Sequence, residues 1–382
     1  MTVPLPTAAN VKVGPPDAEE ARIIAGGVAG AVEVDGELTG LQRLLIEALI
    51  ESMTGFVVPA RRLPRLGPNE FARALAGRDE GFRQRMLQFM LVCSLVLVPL
   101  PDAVVDRVDM YARELGVDNE MIRVAHEYAH GSLGLALIDF QRSGYMELWD
   151  PSHTGVLHAS RALDDAWQQS VSDPALAARW CDLRDLSDGT LGREVVKFYD
   201  ARGFTFPGTP NSAPPLLAQH DWVHVLAGYG STVECELEVF AFISRANDDP
   251  RAFSLLAMVI SLFETGYLAS GAGLFEYDRG HLSHEGMAVR IADGMRRGAL
   301  CAASAGHGTD MLQRDWFADA ARSVEDVRAE LGVVPKSEHA IEVGSVTAWE
   351  AGGISPYQYN CGRRAAAAAG RVYDAYGAEP PS

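Results

Sequence analysis

The chain predicts an all-α fold of two helical domains. Apolar residues recur at helical spacing nearly throughout, and no segment shows the strict alternation of a half-buried strand. The longest apolar runs, 90–101 and 252–263, are about half the length of a bilayer span and read as core helices. Residues 1–21 contain Pro4, Pro6, Pro15 and Pro16 and should form a flexible leader. Helical periodicity then runs over 22–145, with Leu41, Leu44, Leu45, Ala48, Leu49 and Met53 as one apolar stripe. Asp35 and Glu37 lie in a turn within this stretch and are expected to cap and orient a helix beginning near Thr39. Residues 146–184 read as a linker with one short helix over 159–170, in which His153 and His158 could line a site that the segment covers. A second helical domain occupies 185–336, and a helical tail over 337–382 carries an alanine-rich helix around 363–376.

The densest chemistry lies at His220-Asp221-Trp222-Val223-His224, followed twelve residues later by Glu236. On a helix, residues four apart share a face, so His220 and His224 can present two imidazoles to one point with Asp221 beside them. Glu236 cannot join them along one straight helix, because twelve residues rise roughly 18 Å. Gly228-Tyr229-Gly230 supplies the break, and Ser231 with Glu234 reads as a capping box opening a second helix. A helical hairpin results, with Glu236 on the same face as Phe240 and Ile243 and directed at the histidines. Glu234 and Glu238 should point away from that face.

The spacing HDxxH-x11-E resembles that of the fourth coenzyme-Q (ubiquinone) biosynthesis protein family. Further matches are Gly189-Thr190-Leu191-Gly192 upstream, and Ala292-Asp293-Gly294-Met295-Arg296-Arg297-Gly298, Asp315-Trp316 and Val327-Arg328-Ala329-Glu330-Leu331-Gly332-Val333 downstream. The resemblance covers roughly 180–336. It implies that His220, Asp221, His224 and Glu236 bind a divalent metal and act through it. The implied reaction removes a ring carboxyl from a prenylated aromatic quinone precursor, with hydroxylation at that carbon. The sequence departs from the family where Pro214 to Gln219 precede the motif and where Cys235 precedes Glu236. The first domain, 22–145, is similar to tellurite-resistance TerB-like helical domains through Val34-Asp35-Gly36-Glu37-Leu38-Thr39 and Tyr111-Ala112-Arg113-Glu114-Leu115-Gly116-Val117.

Two imidazoles with two carboxylates suit Zn²⁺, Fe²⁺ or Mn²⁺ better than a thiolate site would. A hydrophobic or aromatic small molecule is the expected partner, with Phe240, Ile243, Leu256, Met258 and Ile260 as candidate pocket residues that serve equally well as core. The competing reading is a non-catalytic isoprenoid- or lipid-binding scaffold that recruits biosynthetic partner proteins. A homodimer is compatible with either. A second string, His126-Glu127-Tyr128-Ala129-His130, fits the HExxH pattern of zinc proteases, but the HExxHxxGxxH extension does not follow, which favours a structural histidine pair. A TerB-type stress-response role is the remaining alternative.

A formal net charge of −18 over 382 residues disfavours nucleic acid as a partner and limits membrane contact to the periphery. The five cysteines are widely separated and form no CxxC, which suits free thiols in a reducing compartment. A cytoplasmic protein, at most peripheral to an inner membrane, is expected.

Overall fold

The computed structural model describes residues 15–117, 121–130, 172–210, 212, 215–247, 252–267, 279–305 and 310–380. Among them, every regular element is helical, and extended pairing is confined to two isolated bridges, Val34 with Glu37 and Thr190 with Ser323. The fold is all-α. The expected helix over 159–170, with His153 and His158, lies outside the described residues.

Local signals start and stop these helices. Gly40–Thr54 is capped by Thr39 and Gln42 acting reciprocally and closes on Gly55 in the left-handed region. Asp35 and Glu37, expected as its caps, instead form the preceding turn, where Asp35 has φ 51°. The buried face is also rotated from the predicted stripe: Gln42, Ile46 and Ile50 face inward, whereas Leu44 is 55% exposed. Gln42 explains the shift. Its side-chain amide donates to the carbonyls of Val32 at 2.8 Å and Cys93 at 3.0 Å, so a polar residue occupies the centre of a three-helix contact.

The N-terminal helices share a buried apolar core with described residues as far as Ala348, while Ala201, Ile354, Ala375 and Ala378 form a separate small cluster under the tail. Gly40–Thr54 lies against the long helix Met287–Ala305, and Ser52 Oγ donates to the Ala292 carbonyl at 2.9 Å. Leu100 N donates to the Tyr267 hydroxyl at 3.0 Å. Among the described residues, no helix is long and apolar enough to cross a membrane.

Glycine permits close helix contacts. The long helix approaches Val233–Ala246 through Gly294 and Gly298; a Cβ at Gly298 would sit 2.2 Å from the Phe242 carbonyl oxygen, and one at Gly294 2.9 Å from that of Glu238. Those oxygens belong to the helix that carries Glu236, so small residues on one helix fix the depth of the other. The tail uses the same device. Its helix, Pro356–Ala368, begins earlier than 363 because Ser355 and Gln358 form a capping box. It crosses Leu191–Arg202 closely enough that a Cβ on Gly362 would lie 2.2 Å from the Ala201 carbonyl oxygen.

Gly298→Ala should therefore lower stability by about 1–3 kcal/mol, the usual cost of overpacking. Gly40→Ala, whose Cβ would meet only the end of Arg43 at 4.0 Å, should be close to neutral. Denaturant unfolding of the two variants checks this, and equal shifts would contradict the packing account.

Candidate metal centre

The helix Pro215–Ala227 carries the histidines and ends at Gly228, which has φ 72°. Its last carbonyls have no helical N–H to meet, and arginines supply the missing donors. Arg328 donates to Val225 and Leu226 at 3.1 and 2.6 Å, and Arg297 donates to Ala227 at 2.7 Å. Both arginines lie in the downstream segments singled out in the sequence. Their positive charge also complements the negative end of the helix dipole.

The turn into the second helix is held by the tail. Gly230 N donates to the Val346 carbonyl at 3.1 Å, and Ser231 N to that of Gly353 at 2.9 Å. Arg202 is fully buried and donates to the Ala348 carbonyl at 3.2 Å, the Gly353 carbonyl at 3.0 Å and Ser231 Oγ. The expected Ser231–Glu234 capping box does not form. Thr232 occupies the N-cap position of Val233–Ala246, Ser231 Oγ donates to Gln358 Oε1 at 2.8 Å, and the Glu234 carboxylate turns toward His281 and His284.

Across this turn the two helices face each other. Glu236 Oε2 lies 3.3 Å from His220 Nε2, and Oε1 lies 3.3 Å from His224 Nε2. Asp221 Oδ1 lies 3.7 Å from His220 Nε2, and one ligand atom each of His220, Asp221 and His224 falls within 4.8 Å of the others. Metal–nitrogen and metal–oxygen bonds of about 2.0–2.2 Å place neighbouring ligand atoms roughly 3.0–3.5 Å apart, the spacing that Glu236 keeps with the imidazoles. His224 sharpens the fit. Its ring is fully buried, and neither nitrogen has a hydrogen-bond partner. At 3.3 Å the imidazole attracts Glu236, yet the N–H···O alignment of a hydrogen bond is not met. The group whose ligand atoms all lie within 4.8 Å is His220, Asp221 and His224, and Glu236 faces its two imidazoles.

Neighbours set the charge and orientation of these four side chains. Burial alone would raise the Glu236 carboxyl, but the His224 imidazole, helped by His220, holds it down at about 2. Asp221 is raised from the ordinary carboxylate value, because burial outweighs the two imidazoles and the hydrogen bond from Tyr199. That hydrogen bond, Tyr199 OH to Asp221 Oδ2 at 2.5 Å, leaves Oδ1 on the side of the histidines. Phe198 stacks on the His224 ring at 5.3 Å and Phe240 on the His220 ring at 5.1 Å, so aromatic faces fix both imidazoles.

Of the other predicted residues, Phe240 reaches the centre, while Ile243, Leu256 and Ile260 are fully buried in the apolar core and Met258 is half-buried beside it. The HExxH residues do not gather. The His130 ring is largely exposed, its Nδ1 lies 2.8 Å from the His126 carbonyl oxygen, and the two rings are 6.2 Å apart. Among the described residues, His126, Glu127 and His130 form no cluster able to hold an ion. Glu234 and Glu238 do point away from Glu236 but are not idle. Glu238 is buried, receives Arg290 at 2.6 Å and is bonded by Ser345 Oγ. Tyr199, Phe198 and Arg202 were missed, since each meets the site across a turn.

No family model matches the chain, and no curated protein matches it. One solved structure, of a protein provisionally assigned to ubiquinone biosynthesis in Nostoc punctiforme, is 19% identical over 66% of this chain and 97% of its own, with a TM-score of 0.29. Similarity that loose carries no argument for fold or function, and the TerB-like likeness has no match behind it.

Glu236→Gln keeps size but removes the anionic oxygen, and His224→Ala removes the buried nitrogen; each should abolish metal retention at this centre. Tyr199→Phe should weaken affinity about 10–100-fold, the usual cost of losing a partner that orients a ligand. His126→Gln with His130→Gln should leave metal content unchanged. Elemental analysis of the dialysed proteins checks the set, and full occupancy in Glu236→Gln would overturn the assignment.

Proposed function

We propose that this protein binds a divalent metal at His220, His224, Glu236 and Asp221 and acts on a quinone-like or prenylated aromatic carboxylate, removing the ring carboxyl as CO₂ and hydroxylating that carbon with O₂ as the two-electron oxidant (ArCO₂H + O₂ + H₂O → ArOH + CO₂ + H₂O₂). One observation carries the reading: a fully buried imidazole, His224, with no hydrogen-bond partner, whose Nε2 stands 3.3 Å from one Glu236 oxygen while His220 Nε2 stands 3.3 Å from the other. The HDxxH-x11-E spacing and the flanking Gly189–Gly192 and Ala292–Gly298 segments support the choice of substrate class.

A bound Zn²⁺, Fe²⁺ or Mn²⁺ would serve as a Lewis acid toward a carboxylate or phenolate oxygen. The chain's own residues prepare that chemistry. Tyr199 keeps its proton, because burial and the neighbouring Asp221 push its phenol well above the ordinary value, and so it remains a donor to Asp221 Oδ2. Phe198 and Phe240 cover the imidazole faces and exclude water, which strengthens electrostatic interactions inside the site. Arg297 and Arg328 hold the end of the first helix through its backbone carbonyls, and Arg202 ties the turn to the tail through Ser231 Oγ and the Gly353 carbonyl, holding the four side chains where they stand.

A second reading, a structural ion in a lipid-binding scaffold, has the depth of the centre in its favour. The His220, Glu236 and His224 side chains are only 15%, 11% and 0% exposed. Turnover separates the two. Metal-loaded protein incubated in air with a prenylated 4-hydroxybenzoate should release CO₂ and yield a ring hydroxylated at the former carboxyl carbon, and Glu236→Gln should not. Metal retained with no carboxyl loss across several chain lengths would favour the scaffold.

A further inference from the structure

A second cluster of metal-ligating groups lies on the outer side of the same hairpin. Glu234, in the first turn of Val233–Ala246, turns its carboxylate away from Glu236 and toward the segment preceding the long helix. There His281 Nδ1 lies 3.0 Å and His284 Nδ1 3.1 Å from the same oxygen, Glu234 Oε1, with the two rings 5.2 Å apart. One ligand atom from each of the three falls within 4.8 Å of the others.

The turn that presents the histidines is anchored independently of them. His281 N donates to the Phe263 carbonyl at 3.0 Å and Gly280 N to that of Glu264 at 2.9 Å. The Glu264 carboxylate accepts from Ser283 N at 3.0 Å and from Ser283 Oγ. The backbone is therefore fixed before any ion arrives, which lowers the ordering cost of binding. The three side chains also form a gradient from inside to outside: His281 is 9% exposed, Glu234 23% and His284 58%. An ion seated among them would keep positions open to solvent.

We propose that Glu234, His281 and His284 form a second, solvent-open divalent-metal site. Two imidazole nitrogens and one carboxylate oxygen select borderline ions such as Zn²⁺ or Co²⁺ over Mg²⁺ or Ca²⁺, which prefer all-oxygen shells. Glu234 and Glu236 are two apart on one helix and point to opposite sides, so the two centres share no ligand. The site does not rest on the reading of the buried centre.

Co²⁺ alone is the probe, added to the metal-free full chain in equilibrium dialysis, with visible absorption reporting imidazole ligation. The unmodified chain should bind two equivalents. Glu236→Gln should keep one, with the spectrum of the open site. His281→Gln with His284→Gln should also keep one, that of the buried centre. His284→Ala, at a position 58% exposed, should weaken the open equivalent about tenfold or more, with the apo melting temperature measured alongside to separate loss of a ligand from loss of fold. Two tight equivalents retained in the double histidine variant, or none bound by Glu236→Gln, would overturn the proposal. One equivalent lost only on replacing His281 and His284 would support it and remove the buried centre instead.

Discussion

Inside this protein an anionic side chain, Glu236, faces two imidazoles, and its burial is tolerable only because those groups stand opposite one another. Leaving a buried carboxylate unpaired costs several kcal/mol, so the two helices must meet at one depth and one register. A slip of one residue would turn Glu236 out of line with His220 and His224 and bring Cys235 or Leu237 into its place.

Much of the surrounding structure serves that register. Gly228 turns the chain, Arg297 and Arg328 satisfy the carbonyls that the ending helix exposes, and Gly294 and Gly298 let the long helix seat behind the glutamate helix. Arg202 and Gln358 bind the turn from the other side, through Gly353 and Ser231. The arginines and glycines of the downstream segments thus support the hairpin through its backbone.

How much was legible follows from the range of each interaction. The helical class, the break at Gly228–Gly230 and the facing of Glu236 with the histidines all come from spacing within about twenty residues, where helix geometry decides the outcome. The stripe on Gly40–Thr54 was misplaced because Gln42 is polar yet buried, and only its partners Val32 and Cys93 make that acceptable. The capping box failed for a similar reason. Ser231 and Glu234 had the right types at the right spacing, but Gln358 and the two histidines, 127, 47 and 50 residues away, offered better partners. Tyr199 left no local signal at all, since its oxygen partner lies 22 residues on and across a turn.

Anomalous diffraction from crystals of the cobalt-loaded protein, collected at the metal edge, would locate the ion. A peak is expected between His220 Nε2, His224 Nε2 and the Glu236 carboxylate. A metal-saturated crystal with no density at that point, and His224 instead hydrogen-bonded to Glu236, would contradict it.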